Sequence, residues 1–215
     1  MELISTFFNM LLHIDKYLDL LVHNYGGWTY LIIFLIVFCE TGLVITPFLP
    51  GDSLLFVIGA LGASGIMDIK LAMLLLLIAA FSGNMTNYFI GRFIGTKAFD
   101  FKDGRLFKKR YLIQAHDFYE KYGGKTIFLS RFLPIIRTFA PFVGGISRMT
   151  LWRFMLYNFL GALCWILVFM LAGYFFGNIP VVEKNFSLIV LGIIVVTILP
   201  SVFIALRQKF SRVRF

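Results

Sequence analysis

Residues 38–53, FCETGLVITPFLPGDS, place two carboxylates, Glu40 and Asp52, inside an otherwise apolar part of the chain. Only about twelve apolar residues precede Glu40, and they cover roughly 18 Å, a little over half of a hydrocarbon core. Proline breaks a helix because it lacks an N–H, and glycine weakens one. The residues predicted to break this segment are Pro47, Pro50 and Gly51. We therefore expect a re-entrant hairpin over residues 28–66, with its irregular backbone in protein or beside a wet cavity.

The composition indicates a membrane protein. Of the 215 residues, 60% are hydrophobic and 14% are charged, which is too apolar for an ordinary soluble domain. The formal net charge is +9, but most basic residues stand between apolar runs. Membrane topology explains that placement better than a nucleic-acid partner does.

Residues 126–147 repeat the pattern of the first hairpin with the opposite charge. The run FLSRFLPIIRTFAPFVGG carries Arg131 and Arg137 in apolar surroundings. The pieces on either side of its prolines are too short to cross a bilayer. The residues predicted to break this segment are Pro134, Pro141, Gly144 and Gly145. We therefore expect a second re-entrant hairpin here.

Three uncharged runs are long enough for transmembrane helices, namely residues 71–91, 154–182 and 186–206. The first of them contains Asn84 and Asn87. These amides could face a cavity or simply pack against another helix, and packing is the interpretation that we favour.

The order of these segments predicts an all-α integral membrane fold. It is an inverted repeat of two re-entrant helical hairpins, each followed by a transmembrane helix, with an N-terminal interfacial helix and a C-terminal transmembrane helix. The basic segment 92–125 and the basic C-terminal tail indicate that both lie in the cytoplasm, so the hairpins enter from opposite sides. The motif G-x-F-x-G stands in corresponding places of the two halves, at 91–95 and 173–177.

The predicted fold is a single membrane domain over residues 1–215. Its parts are an N-terminal amphipathic helix (1–27), a first repeat (28–95), a cytoplasmic amphipathic segment (96–125), a second repeat (126–177) and a last transmembrane helix with a basic tail (178–215).

Four ionisable residues lie in the predicted membrane segments: Glu40, Asp52, Arg131 and Arg137. At about 2.5–3.5 kcal/mol each, four unpaired charges would cost on the order of 10 kcal/mol, which is comparable with the stability of a whole domain. We therefore predict that the hairpins meet and bring an arginine within salt-bridge reach of an acid. Two ion pairs that merely close the fold are an open alternative, although buried pairs rarely stabilise more than apolar residues do.

The two residue types suit transport of an anion. Arginine stays charged and offers a planar fork of donors that fits phosphate. Burial and a neighbouring arginine act in opposite directions on the protonation of a carboxyl group, so Glu40 or Asp52 could exchange a proton as its partner changes. We therefore expect Arg131 and Arg137 to bind an anionic group while the two acids couple its passage to protons.

Two motifs carry a family resemblance: ETGLVITPFLPGDS at 40–53 and YEKYGGKTIFLSRFLPIIRTFAPFVGG at 119–145. They resemble the DedA membrane protein family, which shares the SNARE-associated or VTT domain, and the resemblance covers nearly the whole chain. It implies proton-motive-force-dependent envelope homeostasis. Some members are implicated in returning undecaprenyl phosphate across the bacterial membrane, and eukaryotic relatives act as lipid scramblases. The family's functional acids and arginines match Glu40, Asp52, Arg131 and Arg137.

We therefore expect a transporter linked to the proton motive force, a translocase or flippase for a lipid phosphate such as undecaprenyl phosphate or a phospholipid. The alternative is a proton-coupled transporter of small ions or drugs, which would need the arginines less. A lipid phosphatase is disfavoured because that chemistry usually uses a histidine or another nucleophile, and no histidine lies in residues 117–215.

The expected location is the bacterial cytoplasmic (inner) membrane, crossed several times, with a cytoplasmic C-terminus. The expected partners are membrane lipids, above all an anionic lipid phosphate, and protons. We expect no catalytic residue, no metal, no cofactor and no nucleic acid, and the sequence leaves a homo-oligomer open.

Overall fold

The computed structural model describes residues 22–43, 51–100, 109–177, 179 and 192. Within these ranges, after a helical turn at 22–25, the chain forms helices α1 (Trp28–Gly42), α2 (Gly51–Ala63), α3 (Ile69–Asp100), α4 (Lys109–Ser130), α5 (Pro134–Ile146) and α6 (Leu151–Phe176). No strand occurs in the described part of the chain, where the all-α prediction is therefore confirmed.

Two of these helices are long and apolar enough to cross a membrane. They are Ile69–Gly95 within α3, with 27 residues, and the whole of α6, with 26 residues. At 1.5 Å per residue they extend about 40 Å, which exceeds a hydrocarbon core of about 30 Å. They correspond to the spans predicted at 71–91 and 154–182. The span predicted at 186–206, and nearly all of the N-terminal helix predicted at 1–27, lie outside the described residues.

The short helices α1 and α2 occupy the predicted first hairpin. They have 15 and 13 residues, or about 22 and 20 Å, so neither alone matches a hydrocarbon core of about 30 Å. Gly51 begins α2, and Pro47 and Pro50 lie outside the described residues. The first eleven residues of α2 are all buried. This helix therefore lies within the protein rather than against lipid.

Helix α5 differs from the expected break in the second hairpin. Pro134 stands at the start of α5, where the fixed φ of proline suits the first helical turn. Pro141, Gly144 and Gly145 lie inside α5, which continues to Ile146. These three residues therefore do not end a helix.

Side chains from neighbouring helices support α5 around its internal proline. The Tyr119 hydroxyl donates to Ala140 O at 3.0 Å, and Asn87 Nδ2 donates to Thr138 O at 2.8 Å. Burial raises the pKa of Tyr119, so its hydroxyl stays protonated and can donate. These bonds serve carbonyls close to Pro141, the residue that contributes no backbone N–H.

Helix α4 runs from the predicted cytoplasmic segment (96–125) into the predicted second repeat (126–177), because it continues without a break to Ser130. Gly123 and Gly124 lie inside it. A Cβ at Gly123 would lie 3.1 Å from Met149 Sδ, and one at Gly124 would collide with the Tyr157 ring. Packing against these two side chains supports a helix that the glycines alone would weaken.

The chain forms two compact units, which are described separately. The first unit comprises Met1–Ile36, Phe48–Leu77 and Trp165–Phe215, and the second comprises Val37–Pro47 and Ile78–Cys164. Helices α1, α3 and α6 contribute residues to both units. The units therefore do not coincide with the two repeats predicted from the sequence.

Glycines bring two helix backbones close together in the first unit. A Cβ at Gly59 of α2 would meet the carbonyl oxygen of Met170 in α6. A Cβ at Gly173 of α6 would likewise meet the carbonyl oxygen of Phe56 in α2. Small residues permit this kind of close approach between membrane helices.

The second unit contains a similar crossing, between α5 and α3. A Cβ at Gly145 would meet the carbonyl oxygen of Tyr88, and one at Gly91 would meet that of Phe142. Gly91 of the first G-x-F-x-G motif and Gly173 of the second therefore lie where two helix backbones approach closely. In each case the long helix of one predicted half contacts the second helix of the other half's hairpin.

Candidate functional site

The second unit contains a group of buried polar side chains, none of them more than 3% exposed. They are linked to one another by hydrogen bonds or by adjacent positions in the sequence. This polar cluster consists of Glu40, Thr41, Asn84, Asn87, Arg131, Arg137, Thr138 and Asn158. Its members come from the end of α1, from α3, from the turn between α4 and α5, from α5 and from α6. Burying so many polar groups is costly unless they bond to one another, so their partners define what the cluster can do.

Glu40 and Arg137 form an ion pair within the polar cluster. Arg137 Nη2 donates to Glu40 Oε1 at 2.5 Å, and the two side chains are 3% and 0% exposed. The structure therefore brings one predicted arginine into contact with one predicted acid.

Each charge of the ion pair lies at a helix end whose dipole disfavours it, so each charge needs its partner for stability. Glu40 lies in the last turn of α1, at the negative end of its helix, and Arg137 is the fourth residue of α5, near the positive end. Each charge is disfavoured there by about 0.3–1 kcal/mol. The ion pair offsets two unfavourable placements as well as two desolvation costs.

Arg131 has a different environment. It directly follows the last residue of α4, where the negative end of a helix favours a cation. Its Nη2 donates to Ala80 O at 3.0 Å and to Asn158 Oδ1 at 2.6 Å. Both of these acceptors are neutral oxygens.

The Asn84 amide extends this network when its orientation is chosen from its neighbours. In one orientation Nδ2 donates to Asn158 Oδ1 at 3.0 Å, but it then faces the Arg131 guanidinium, which is also a donor. In the other, Oδ1 accepts from Arg131 Nη2 at 3.0 Å and Nδ2 donates to Thr41 O at 3.2 Å. We adopt the second because it satisfies the buried cation and a buried carbonyl.

The remaining amides bind backbone carbonyls. Asn87 Nδ2 lies 2.8 Å from Thr138 O and 3.3 Å from Thr41 O, so it joins the residues that follow Glu40 and Arg137. Asn158 Nδ2 donates to Phe81 O at 3.1 Å. Amide side chains of the polar cluster therefore connect four helices, α1, α3, α5 and α6.

Counted over the side chains that the structure describes, the charged groups of the polar cluster include more cations than anions. Its charged members are one carboxylate, Glu40, and two guanidinium groups, Arg131 and Arg137, all of them almost fully buried. The formal sum is one positive charge. Two buried guanidinium groups beside one described carboxylate favour the approach of an anion.

Asp52 belongs to the first unit, where it is 8% exposed. It lies in the first turn of α2, where the positive end of the helix favours a carboxylate. Trp165 Nε1 of α6 donates to Asp52 Oδ1 at 2.7 Å. The Asp52 carboxylate is thus stabilised by the dipole of its own helix and by the hydrogen bond from the Trp165 indole.

The structure therefore places three of the four predicted charged residues in one polar cluster. Asp52 is described with the other unit and has its own partner, Trp165. Among the described residues, no group of three His, Cys, Asp or Glu side chains is arranged to hold a metal ion.

Sequence reasoning missed Asn158 and Trp165. Asn158 is the one amide in α6, and a polar residue in such an apolar helix is a signal for a specific contact. Trp165 stands near the middle of α6, whereas tryptophan in membrane helices is enriched at the interfaces. Asn84 and Asn87 were expected to serve packing, and their bonds to the polar cluster go beyond what packing requires.

Comparison with known proteins relates the chain to a membrane family. The VTT domain matches residues 49–175. Protein DedA of Escherichia coli K12 is 53% identical over 216 residues, which covers 100% of this chain and 99% of that protein.

More distant relatives also match over most of the chain. A membrane protein of Mycobacterium tuberculosis is 46% identical over 182 residues, covering 84% of this chain and 80% of the relative. Inner membrane protein YqjA of Escherichia coli K12 is 35% identical over 158 residues, covering 74% of this chain and 72% of the relative. No solved structure matches the chain. The domain match and the full-length identity together establish that this chain belongs to the DedA family of membrane proteins, which carry the VTT domain.

Proposed function

We propose that the chain carries an anionic lipid phosphate, such as undecaprenyl phosphate or a phospholipid, across the membrane in a process coupled to protons. The observation that supports this proposal is that the polar cluster buries two guanidinium groups next to a carboxylate. Buried guanidinium groups attract an anionic ligand, and a phosphate group is such a ligand. Guanidinium groups also match the geometry of phosphate oxygens.

The Glu40–Arg137 pair suggests how protons take part. A phosphate that binds Arg137 competes with the carboxylate already bound to its Nη2. Once displaced, Glu40 would be a buried carboxylate at the negative end of α1, and taking up a proton would remove that cost. In this mechanism, Glu40 takes up a proton when the phosphate replaces it on Arg137, and it releases the proton when the phosphate leaves. Asp52 is proposed as a second proton-coupling group.

The proposal involves movement of an intact lipid and no bond cleavage. Two hydroxyl groups of the second unit donate to carbonyls of their own helices: Thr41 Oγ1 to Val37 O, and Ser130 Oγ to Ile127 O. Both hydroxyl groups therefore donate their hydrogen to the backbone. This supports a transporter rather than an enzyme that uses one of them as a nucleophile.

Transport can be tested in proteoliposomes with a farnesyl phosphate that carries a fluorescent label on its chain and is quenched from outside. We expect protein-dependent movement whose rate changes when a pH gradient is imposed, and no comparable movement of labelled farnesol. Arg137→Met should reduce the rate about tenfold or more, because it removes a charge-assisted contact. Arg153→Met is the matched control, since Arg153 is exposed on α6. Equal movement of the phosphate and the alcohol would contradict the proposal.

We further propose that the chain lies in the bacterial inner membrane, with re-entrant hairpins and with the segment around Lys109 and the C-terminal tail in the cytoplasm. The basic residues of both segments support this topology. Single cysteines at Lys109 and Arg212, introduced after Cys39 and Cys164 are replaced, should resist a membrane-impermeant maleimide in intact cells. Rapid labelling of either from outside would refute the topology.

A further inference from the structure

Asp52 and Trp165 form a buried polar contact between α2 and α6 in the first unit. Trp165 Nε1 donates to Asp52 Oδ1 at 2.7 Å. The indole is 0% exposed, and the ring of Phe169, one turn further along α6, lies edge-on to it with 6.4 Å between the ring centroids. A ring that is enclosed in this way has little freedom to turn. The packing of α6 therefore sets the direction of the N–H that meets the carboxylate.

The packing of α2 against α6 indicates how deep this contact lies. A Cβ at Gly173 would meet Phe56, and one at Gly177 would meet Ala60, so the contacts follow the same order along both helices. The two helices therefore run in the same direction, and the carboxylate at the start of α2 bonds to an earlier part of α6. The indole belongs to the fifteenth of the 26 residues of α6, about 21 Å from the start of that helix. In a helix long enough to cross a membrane, this position is close to the middle.

Asp52 is the one buried ionisable side chain among the residues that the structure describes in the first unit. Helix α2 contains no other ionisable residue. The remaining ionisable side chains described in this unit are half-buried or exposed, namely His23, Tyr25, Tyr30, Asp68, Lys70 and Tyr174. Of all these groups, Asp52 is the one that bonds to the Trp165 indole.

The indole distinguishes the two protonation states of a carboxyl group. Its N–H donates a hydrogen bond, and the indole offers no acceptor in return. A hydrogen bond to an ionised acceptor is roughly twice as strong as one between neutral groups. The bond from Trp165 therefore weakens when Asp52 takes up a proton and strengthens when the proton leaves. Because this bond joins two helices, proton exchange changes how strongly the start of α2 is held to α6.

Resting on the proposed function, in which Asp52 exchanges protons, we propose that Trp165 is a positioning residue whose N–H holds the Asp52 carboxylate near the middle of the membrane and transmits its protonation state to α6. The competing interpretation is that the indole only fills space between α2 and α6. The two interpretations differ in what the N–H contributes. Trp165→Phe separates them, because it removes the N–H and keeps an aromatic ring.

The first experiment observes the indole directly and needs no substrate. The chain contains three tryptophans, of which Trp28 and Trp152 are 69% and 72% exposed. Protein with both of these replaced by phenylalanine, in phosphatidylcholine nanodiscs, emits tryptophan fluorescence from Trp165 alone. This emission should titrate between about pH 4 and pH 9. Adding Asp52→Asn should abolish the titration, because an amide oxygen accepts the same bond but does not titrate. Emission that is independent of pH, or that titrates equally with asparagine in place, would overturn the proposal.

The second experiment measures what the N–H contributes to transport. Movement of labelled farnesyl phosphate in proteoliposomes is recorded against pH for Trp165→Phe and for Trp152→Phe, which makes the same chemical change at an exposed position of α6. Loss of the N–H favours proton uptake by Asp52, so the pH profile of Trp165→Phe should move to higher pH by about one unit. The control should keep the profile of the unsubstituted protein. An unchanged profile in Trp165→Phe would overturn the positioning role.

The third experiment tests the contact by thermal unfolding. Trp165→Phe and Asp52→Ala together should lower the melting temperature by less than the sum of their separate effects, because the two residues share a hydrogen bond. Additive losses would overturn the contact.

The experiments also separate this proposal from the proposed function. Emission that titrates with Asp52, in a protein that moves no labelled farnesyl phosphate, would support the contact and overturn the proposed function. Transport that proceeds with the same pH profile in Trp165→Phe would overturn the role of Trp165 and leave the proposed function intact.

Discussion

Removing one member of the Glu40–Arg137 pair should destabilise the protein far more than removing both. Arg137→Met leaves a carboxylate that is 0% exposed and lies at the negative end of α1. Breaking a buried pair in this way costs about 3–5 kcal/mol, and the helix dipole contributes about 0.3–1 kcal/mol of the total. Glu40→Met leaves a buried guanidinium at the positive end of α5 and should cost a similar amount.

The double variant has no unpaired charge left at this position. Replacing a whole buried pair with apolar residues of similar size is often neutral, so its loss should be a fraction of either single loss. With about 2–4 °C per kcal/mol for a chain of this length, each single variant should melt roughly 6–20 °C lower, and the double variant should recover most of that difference.

The measurement is thermal unfolding of purified protein in a non-ionic detergent, followed by near-ultraviolet circular dichroism. Arg153→Met is the control, because it removes an exposed arginine from α6 and should shift the midpoint little. If the double variant loses the sum of the two single losses, the two side chains do not interact in the folded protein. That result would refute the buried ion pair and the exchange mechanism built on it.

Three further outcomes follow from the same geometry. Arg131→Lys and Arg137→Lys should each lower transport about tenfold or more at unchanged membrane abundance, because lysine keeps a charge but loses the planar fork; full transport by both variants would mean that the fork is not needed. Glu40→Gln should still insert and should flatten the pH dependence of transport, since an amide cannot titrate, and an unchanged pH profile would rule out this residue as a proton carrier. Gly145→Val should lower the amount of folded protein recovered, because a Cβ there would meet the backbone of α3, and recovery equal to that of the unsubstituted protein would show that this crossing can open.

Charge and hydropathy predicted much of the site because burying a charge is costly wherever it occurs. Glu40, Arg131 and Arg137 could be selected as ionisable residues in apolar runs, and the structure places all three in one cluster. Which arginine bonds to Glu40 could not be predicted, since that depends on how α1 and α5 are positioned relative to each other. Two residues 97 positions apart leave no local signal of such a contact.

Other features depend on packing that a sequence pattern does not encode. The sequence predicts that Pro141 breaks a helix. Hydrogen bonds from neighbouring side chains to Thr138 O and Ala140 O support the helix that contains it. Asn158 is a single polar residue in a long apolar run, so periodicity says nothing about its partner. The indole of Trp165 is likewise an apolar residue in a hydropathy count, although its N–H bonds to a carboxylate.

The glycine crossings impose an order on assembly during synthesis. Gly91 and Gly145, which line the crossing in the second unit, are separated by roughly 50 residues, or about 3–11 s of translation at 5–20 residues per second. Gly59 and Gly173, which line the crossing in the first unit, are separated by roughly 110 residues, or about 6–23 s. Helix α2 is thus made long before its contact surface on α6. A nascent chain stopped just before residue 173 would contain every residue of the polar cluster and still lack the glycine against which α2 packs.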